Sequence, residues 1–155
     1  MRVHIGGDHA AYELQLALVT HLQESGHEVT NHGPHHFDSE DDYPVAVLRA
    51  AQAVSEDPDS RGVVLGGSGN GEQMAANKVP GVRAALCWTA ELAQLAREHN
   101  DAQVVSIGGR FTATEEAKEI VDMFLATDFS AAPRHARRLE MVTQFEKTGT
   151  LPPEE

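Results

Sequence analysis

Residues 66–81 read GGSGNGEQMAANKVPG, with four glycines in the six positions 66–71 and an acid, Glu72, directly after them. A glycine-rich turn between a buried strand and a helix presents backbone N–H groups to an anion. Two familiar anion loops do not fit. A G-x-G-x-x-G fingerprint starting at Gly67 would need its third glycine where Glu72 stands. A G-x-x-x-x-G-K-[ST] loop fits Gly66 and Gly71, but Glu72 and Gln73 then replace the lysine and the hydroxyl, and a carboxylate repels a triphosphate. The remaining chemistry joins an anion hole to a base. The N–H groups of Gly69, Asn70 and Gly71 would stabilise a developing oxyanion, and Glu72 would take a proton from the adjacent carbon. That is the equipment for proton abstraction beside a carbonyl, through an enediolate. On spacing alone, Glu72 reads equally well as an acid favoured in the first turn of a helix.

The elements that must position this loop are legible as alternation. Short apolar, β-branched runs predict strands at 2–6, 27–31, 62–66, 83–87 and 103–107. Helical patterns lie near 11–25, 44–56, 71–78, 89–99, 113–126 and 130–147. Leu14, Leu18 and Leu22 form one stripe, and Gly26 is placed to stop that helix. Thr112 and Glu115 predict a capping box for the fifth helix. Strands alternating with helices predict an α/β fold: a three-layer α/β/α, Rossmann-like sandwich around a five-stranded parallel sheet, whose strand order the pattern leaves open. One domain over 1–147 and a frayed tail at 148–155 are expected. Ligands of such sheets bind outside the carboxyl ends of the strands, which selects Asp8, His9, the 66–72 loop and Arg110. His99 precedes the fifth strand and belongs to the opposite edge.

Composition narrows the partners. The formal net charge of −12 argues against nucleic acid. Yet Arg134, Arg137 and Arg138 sit together, either as an ion-paired helix face or as a site for a small anion. No apolar run approaches the roughly 18 residues of a membrane span, and no secretory h-region is visible. The single cysteine, Cys87, fits a reducing cytoplasm. His32, His35 and His36 lie among acids in NHGPHHFDSEDD, but their spacing matches no closed zinc pattern.

The whole constellation resembles the type B ribose-5-phosphate isomerases and their galactose-6-phosphate and allose-6-phosphate isomerase relatives. The resemblance covers nearly the full length and rests on GGDHAAYELQ at 6–15, DYP at 42–44, the loop text at 66–86, REHNDAQVVSIGGR at 97–110 and RHARR at 134–138. Many members of that family carry a cysteine base just before the glycine loop; here that position is Gly66. The chain therefore resembles the subgroup whose base is a glutamate, Glu72. The resemblance implies interconversion of ribose 5-phosphate and ribulose 5-phosphate, with a six-carbon sugar phosphate as the rival substrate and no cofactor or metal. It implies His99 as the acid that opens the sugar ring, with Asn100 beside it, and Asp8 at the sugar hydroxyls. Gly67, Ser68, Gly69, Asn70 and Gly71 would hold the enediolate oxygen. His9, Arg110, Arg134 and Arg138 would bind the phosphate, and Tyr43 would pack near the sugar. It also implies a homodimer with active sites at the interface; a tetramer stays open. Read without the resemblance, His99 and Asn100 are a helix end with an αL asparagine, Asp8 is a helix N-cap, and Tyr43 is an aromatic at a loop-to-helix junction.

Overall fold

The computed structural model describes residues 1–154; Glu155, the last residue of the expected frayed tail, lies outside the described residues. The chain alternates strands and helices in the order β1 (Arg2–Gly6), α1 (Tyr12–Glu24), β2 (Glu28–Asn31), α2 (Pro44–Glu56), β3 (Arg61–Gly66), α3 (Asn70–Ala76), β4 (Ala84–Leu86), α4 (Ala90–Asn100), β5 (Val104–Gly108), α5 (Thr114–Ala126) and α6 (Pro133–Thr148). A single 3₁₀ turn, His9–Ala11, precedes α1. All four strand pairings are parallel, in the order β2-β1-β3-β5-β4. The α/β/α sandwich expected from the alternation is present. The strand order adds what the pattern left open: β1 and β3 are neighbours, and the connections that leave them cover opposite faces, α1 on one and α3 on the other. The crevice at such a switch point lies between the loops after those two strands.

β3 and β5 are buried along nearly their whole length, as central parallel strands are when helices cover both faces. On one face, Leu14, Leu18 and Leu22 of α1 join Ile120, Val121 and Phe124 of α5 over Ile5, Val63, Leu65, Val105 and Ile107. The expected leucine stripe is thus the core seam, and Gly26, at φ +87°, follows the end of α1 as expected. On the other face, Val47, Ala50, Ala51 and Val54 of α2 and Ala76 of α3 cover Val64 and Val104. Small side chains there let the backbones approach closely. α6 stands apart, with His135 as its buried residue and Met141, Val142 and Phe145 exposed.

Three expectations are corrected. Thr112 and Glu115 make no capping box: Ala113 occupies the N-cap of α5 without a side-chain bond, and the Thr112 hydroxyl is buried without a partner. The last helix starts at Pro133 rather than near 130, because Ser130 Oγ accepts from Ala132 N–H and bonds the His135 ring outside the helix. The αL residue ending α4 is Asp101 (φ 44°), and Asn100 is still helical. The tail after Gly149 forms no regular element over 151–154, and Leu151, Pro152 and Pro153 share a groove with Met141 and Gln144 of α6.

The end of α4 is fixed by one buried side chain. Arg97 is 2% exposed. Its guanidinium donates to Thr127 O at 3.1 Å, Ala102 O at 2.7 Å and Asp101 Oδ1 at 2.8 Å, and lies over the Phe124 ring. Arg97→Ala would leave buried carbonyls unpaired, and a loss of about 3 kcal/mol is expected. Urea unfolding followed by circular dichroism measures it; a change under about 1 kcal/mol would mean that the bonds are replaced by water.

Candidate active site

β3 delivers the glycine loop to the switch point, and the exit of β5 pins it there. Gly109 N–H donates to Gly66 O at 2.8 Å and Arg110 N–H to Gly67 O at 3.1 Å. This zipper carries the Arg110 guanidinium across Gly67, where a Cβ would sit 3.1 Å from Nη1. From inside β5, Ser106 Oγ donates to Gly69 O at 2.8 Å. Gly69 adopts φ +81° and caps α3, and Ser68 Oγ accepts from Asn70 N–H at 3.2 Å. Tyr43, at the entry of α2, lies against Gly71 so closely that a Cβ there would fall 2.7 Å from its Cζ.

Glu72 is the third residue of α3 and is 4% exposed. Its carboxyl group sits over the Cα of Gly66, so a Cβ at position 66 would overlap it. Among the described residues, no cation pairs with Glu72. Burial pushes its pKa above the ordinary glutamate value, Asp8 adds to the rise, and backbone N–H groups of Glu72 itself and Gly69 oppose it. A buried carboxyl with a raised pKa holds its proton more readily than an exposed one. Cys87 differs: it is 1% exposed, and burial pushes its thiol up to about 12. The thiol is therefore protonated, and Cys87 packs as a small hydrophobe.

The loop after β1 supplies the other wall. Asp8 caps the 3₁₀ turn by accepting from Ala10 N–H at 3.0 Å, and its burial raises its pKa. Its N-cap reading from the sequence therefore holds, and its carboxyl still neighbours that of Glu72. His9 meets Asp41 through Nδ1 at 2.6 Å. Within one subunit the structure thus gathers Asp8, His9, Tyr43, Gly67–Glu72 and Arg110 at the carboxyl edge of the sheet. Sequence reasoning missed Asp41, Ser106 and Arg97. Ser106 had a signal, a lone hydroxyl in the apolar run QVVSIGG, and Arg97 had one in its i,i+4 spacing to Asp101; Asp41 had none, since its partner His9 is distant in sequence.

His99, Asn100, Arg134 and Arg138 are not brought to that cluster. Asn100 O accepts from Arg83 Nε at 2.8 Å, just before β4 and β5 begin, which is the amino edge. Gly66 and Gly108 pair at the other end of the same strands, about 15 Å away at ~3.3 Å per residue. The amino-edge group has its own order. The His99 and His135 rings are 4.3 Å apart, His135 Nδ1 lies 2.8 Å from Ser130 Oγ, and Arg134 Nε donates to His135 Nε2 at 3.3 Å. Burial and the neighbouring cations lower the His135 pKa.

His32, His35 and His36 line one surface cavity with Asp38, Asp41 and Asp42, and His32 Nε2 lies 3.0 Å from His4 Nδ1. Among the described residues, the His and acid groups whose polar atoms lie within 4.8 Å of one another are Asp8, His9 and Asp41, in the site itself. No helix among the described residues is long and apolar enough to cross a membrane.

A doubly wound parallel sheet with a pinned glycine loop and a buried carboxyl at its switch point defines an α/β protein with its candidate site at the carboxyl edge of the sheet. Residues 3–142 match the family model described as Ribose/Galactose Isomerase. Over 153 residues the chain is 53% identical to ribose-5-phosphate isomerase B of Mycolicibacterium paratuberculosis, covering 99% of this chain and 96% of the relative. It is 51% identical over 153 residues to the enzyme of the same name from Mycobacterium tuberculosis (strain H37Rv), covering 99% and 94%. Among solved structures, ribose-5-phosphate isomerase B of Clostridium thermocellum superposes with a TM-score of 0.91 at 39% identity, covering 97% of this chain and 100% of that one. The Mycoplasma genitalium enzyme with bound ribulose-5-phosphate superposes with a TM-score of 0.91 at 37% identity, covering 95% and 97%. The chain belongs to the ribose/galactose isomerase family.

The burial of Glu72 has a thermodynamic signature. A carboxyl whose pKa is raised by folding opposes the folded state once it ionises. The cost begins as pH rises through the unfolded value of about 4.3 and is complete above the folded value. Glu72→Gln is therefore expected to raise Tm by a few degrees at neutral pH and to lose that gain below about pH 4. Calorimetry at both pH values checks it; equal Tm shifts at both would show that the charge is not the cause.

Proposed function

We propose that the chain is a cofactor-independent aldose–ketose isomerase that interconverts ribose 5-phosphate and ribulose 5-phosphate, with Glu72 as its base. The observation that carries the reading is the Glu72 carboxyl, buried without a cation beside a loop of backbone donors. The names of the relatives and the ribulose-5-phosphate bound by the Mycoplasma genitalium enzyme support the substrate. The lone, buried Cys87 supports a cytoplasmic setting.

The furanose opens first. As the C1–O4 bond breaks, His99 gives a proton to the ring oxygen and the C1 hydroxyl passes its proton to Asp8, which holds the sugar hydroxyls; both side chains then re-equilibrate with solvent. Glu72 then takes the proton from C2, and negative charge develops on the carbonyl oxygen. Ser68 and the N–H groups of Gly67 through Gly71 receive that charge. Glu72 returns the proton to C1, while another moves between the two oxygens, giving the ketose. Tyr43 packs against the sugar. His9, Arg110, Arg134 and Arg138 bind the phosphate, since guanidinium forks match phosphate oxygens.

Glu72 and His99 lie at opposite edges of one sheet, so a single subunit does not bring both to one sugar. The active unit is then a symmetric dimer, each site combining the carboxyl-edge wall of one chain with His99, Asn100, Arg134 and Arg138 of the other.

Glu72→Gln should remove nearly all turnover while substrate binding persists, because it keeps size and deletes proton acceptance. Arg134→Ala or Arg138→Ala should cost about 2 kcal/mol, a roughly thirtyfold rise in KM. A panel of ribose 5-phosphate, allose 6-phosphate and galactose 6-phosphate ranks the substrates by kcat/KM; preference for a six-carbon sugar would replace the proposed one. The shared site is tested by exchanging subunits between inactive Glu72→Gln and His99→Asn. Half of the dimers become mixed with one intact site each, so roughly a quarter of wild-type activity should return. Exchange seen by mass spectrometry with no regained activity would sink the shared site.

A further inference from the structure

The loop between β2 and α2 carries a carboxylate to which the mechanism above gives no task. Asp41 Oδ1 lies 3.0 Å from the backbone N–H of His9, which donates to it, and 2.6 Å from His9 Nδ1. One oxygen therefore grips both the backbone and the ring of the same residue, so the turn after β1 and the ring orientation are set together. The His9 side chain is 28% exposed and that of Asp41 19%, so both are shielded without being sealed off. A ring nitrogen this close to a carboxylate is at the short end of charge-assisted bonds.

Four other groups face the ring or its partners. Asp8 lies in the same turn, Arg110 comes from the loop after β5, and Phe37 meets the ring edge-on with centroids 6.4 Å apart. Tyr12, at the start of α1, also meets Phe37, with ring centroids 6.1 Å apart. Asp41 and Asp8 favour the protonated ring, and Arg110 and desolvation oppose it. The balance is a raised pKa, with the Asp41 bond as its largest cause. The loop does not need His9 to hold its shape, since Asp41 N–H donates to Asp38 O and Glu40 N–H to Asp38 Oδ1.

We propose that Asp41 is a positioning residue for anion binding: it fixes the His9 ring and keeps it doubly protonated, leaving Nε2–H as a charged donor for the sugar phosphate. This rests on the reading of His9 as part of the phosphate site. The carboxyl edge is rich in acids, with Asp8, Asp41 and Glu72 close together, and Arg110 is the cation that crosses the glycine loop. A neutral His9 would leave that edge poorly matched to a dianion. A carboxylate spent on an imidazole turns one unit of local repulsion into a fixed donor.

The probe is inorganic sulfate, which stays dianionic throughout and competes with the substrate, measured on the intact full-length enzyme. The protonation of His9 is read separately from its imidazole ¹⁵N shifts. In the wild type, both ring nitrogens should carry protons above the ordinary histidine value of about 6.5. In Asp41→Asn, which removes the largest cause of the raised pKa, the ring should lose its second proton at a lower pH than in the wild type. Its sulfate inhibition constant should rise about tenfold at about pH 8 and less than twofold at about pH 5.5, where the ring is protonated in either protein. A role confined to loop order would weaken sulfate equally at both pH values, and that result overturns the proposal, as does a wild-type ring that is neutral above about pH 7. His9→Gln separates the two readings. If it leaves the sulfate constant unchanged, His9 is not in the phosphate site and the proposal falls with that assignment. If it weakens sulfate while Asp41→Asn does not, the proposal alone falls.

Discussion

A carboxyl group without a counter-cation is expensive to bury, and the site is organised around keeping one there. Glu72 is held off water by its own helix and by the floor that Gly66 leaves open. A side chain at 66 would push the carboxyl outward, where solvation would return its pKa to the ordinary value and remove the reason for placing it. The same constraint explains the reinforcement around it. Ser106 and the exits of β3 and β5 tie the loop at three backbone points, so the N–H groups keep their direction when charge arrives. A looser loop would relax toward the carboxylate in its resting state and lose the advantage of preorganisation.

Sheet polarity supplies the second constraint. In a parallel sheet every strand ends at the same edge, so loops that follow strands gather and loops that precede them gather elsewhere. Asp8, the glycine loop and Arg110 all follow strands. His99 and α6 do not, and Arg97 with the αL Asp101 locks the end of α4 at the amino edge. Local rearrangement therefore cannot bring His99 over to Glu72 while the fold persists. The exposed apolar residues Val142 and Phe145 of α6, Met74 of α3 and Trp88 before α4 are what a chain would carry if those separated halves met across an association surface.

Much of this was legible in the sequence, for reasons that differ by residue. The leucine stripe of α1 and the β-branched strands are periodic, so the layers followed from pattern. The glycine loop was legible because its failures as a nucleotide loop were as informative as its glycines. Boundaries set by tertiary bonds were not. Thr112 looks like a cap in the sequence, but its hydroxyl is buried while Ala113 takes the cap position. Asn100 looks like the αL stop, but Arg83 and Arg97 draw the turn one residue on, to Asp101. Asp41 was hidden because its partner, His9, lies 32 residues away, and sequence spacing carries no signal at that distance.

The charge distribution ties these observations together. The chain has twice as many acids as Lys and Arg, 24 against 12, yet the proposed substrate is an anion. Diffuse charge does not decide binding; the few cations that face the ligand do, because interactions beyond about 8–10 Å are screened. At the carboxyl edge that cation is Arg110, joined on the proposed reading by a protonated His9, and set against Asp8, Asp41 and Glu72. The balance there is unfavourable to a dianion unless Arg134 and Arg138 arrive from another chain. On the proposed dimer, association would therefore do two things at once: it would complete the catalytic pair and reverse the sign of the local field. On that proposal, a monomer would have neither the acid to open the ring nor the potential to hold the phosphate.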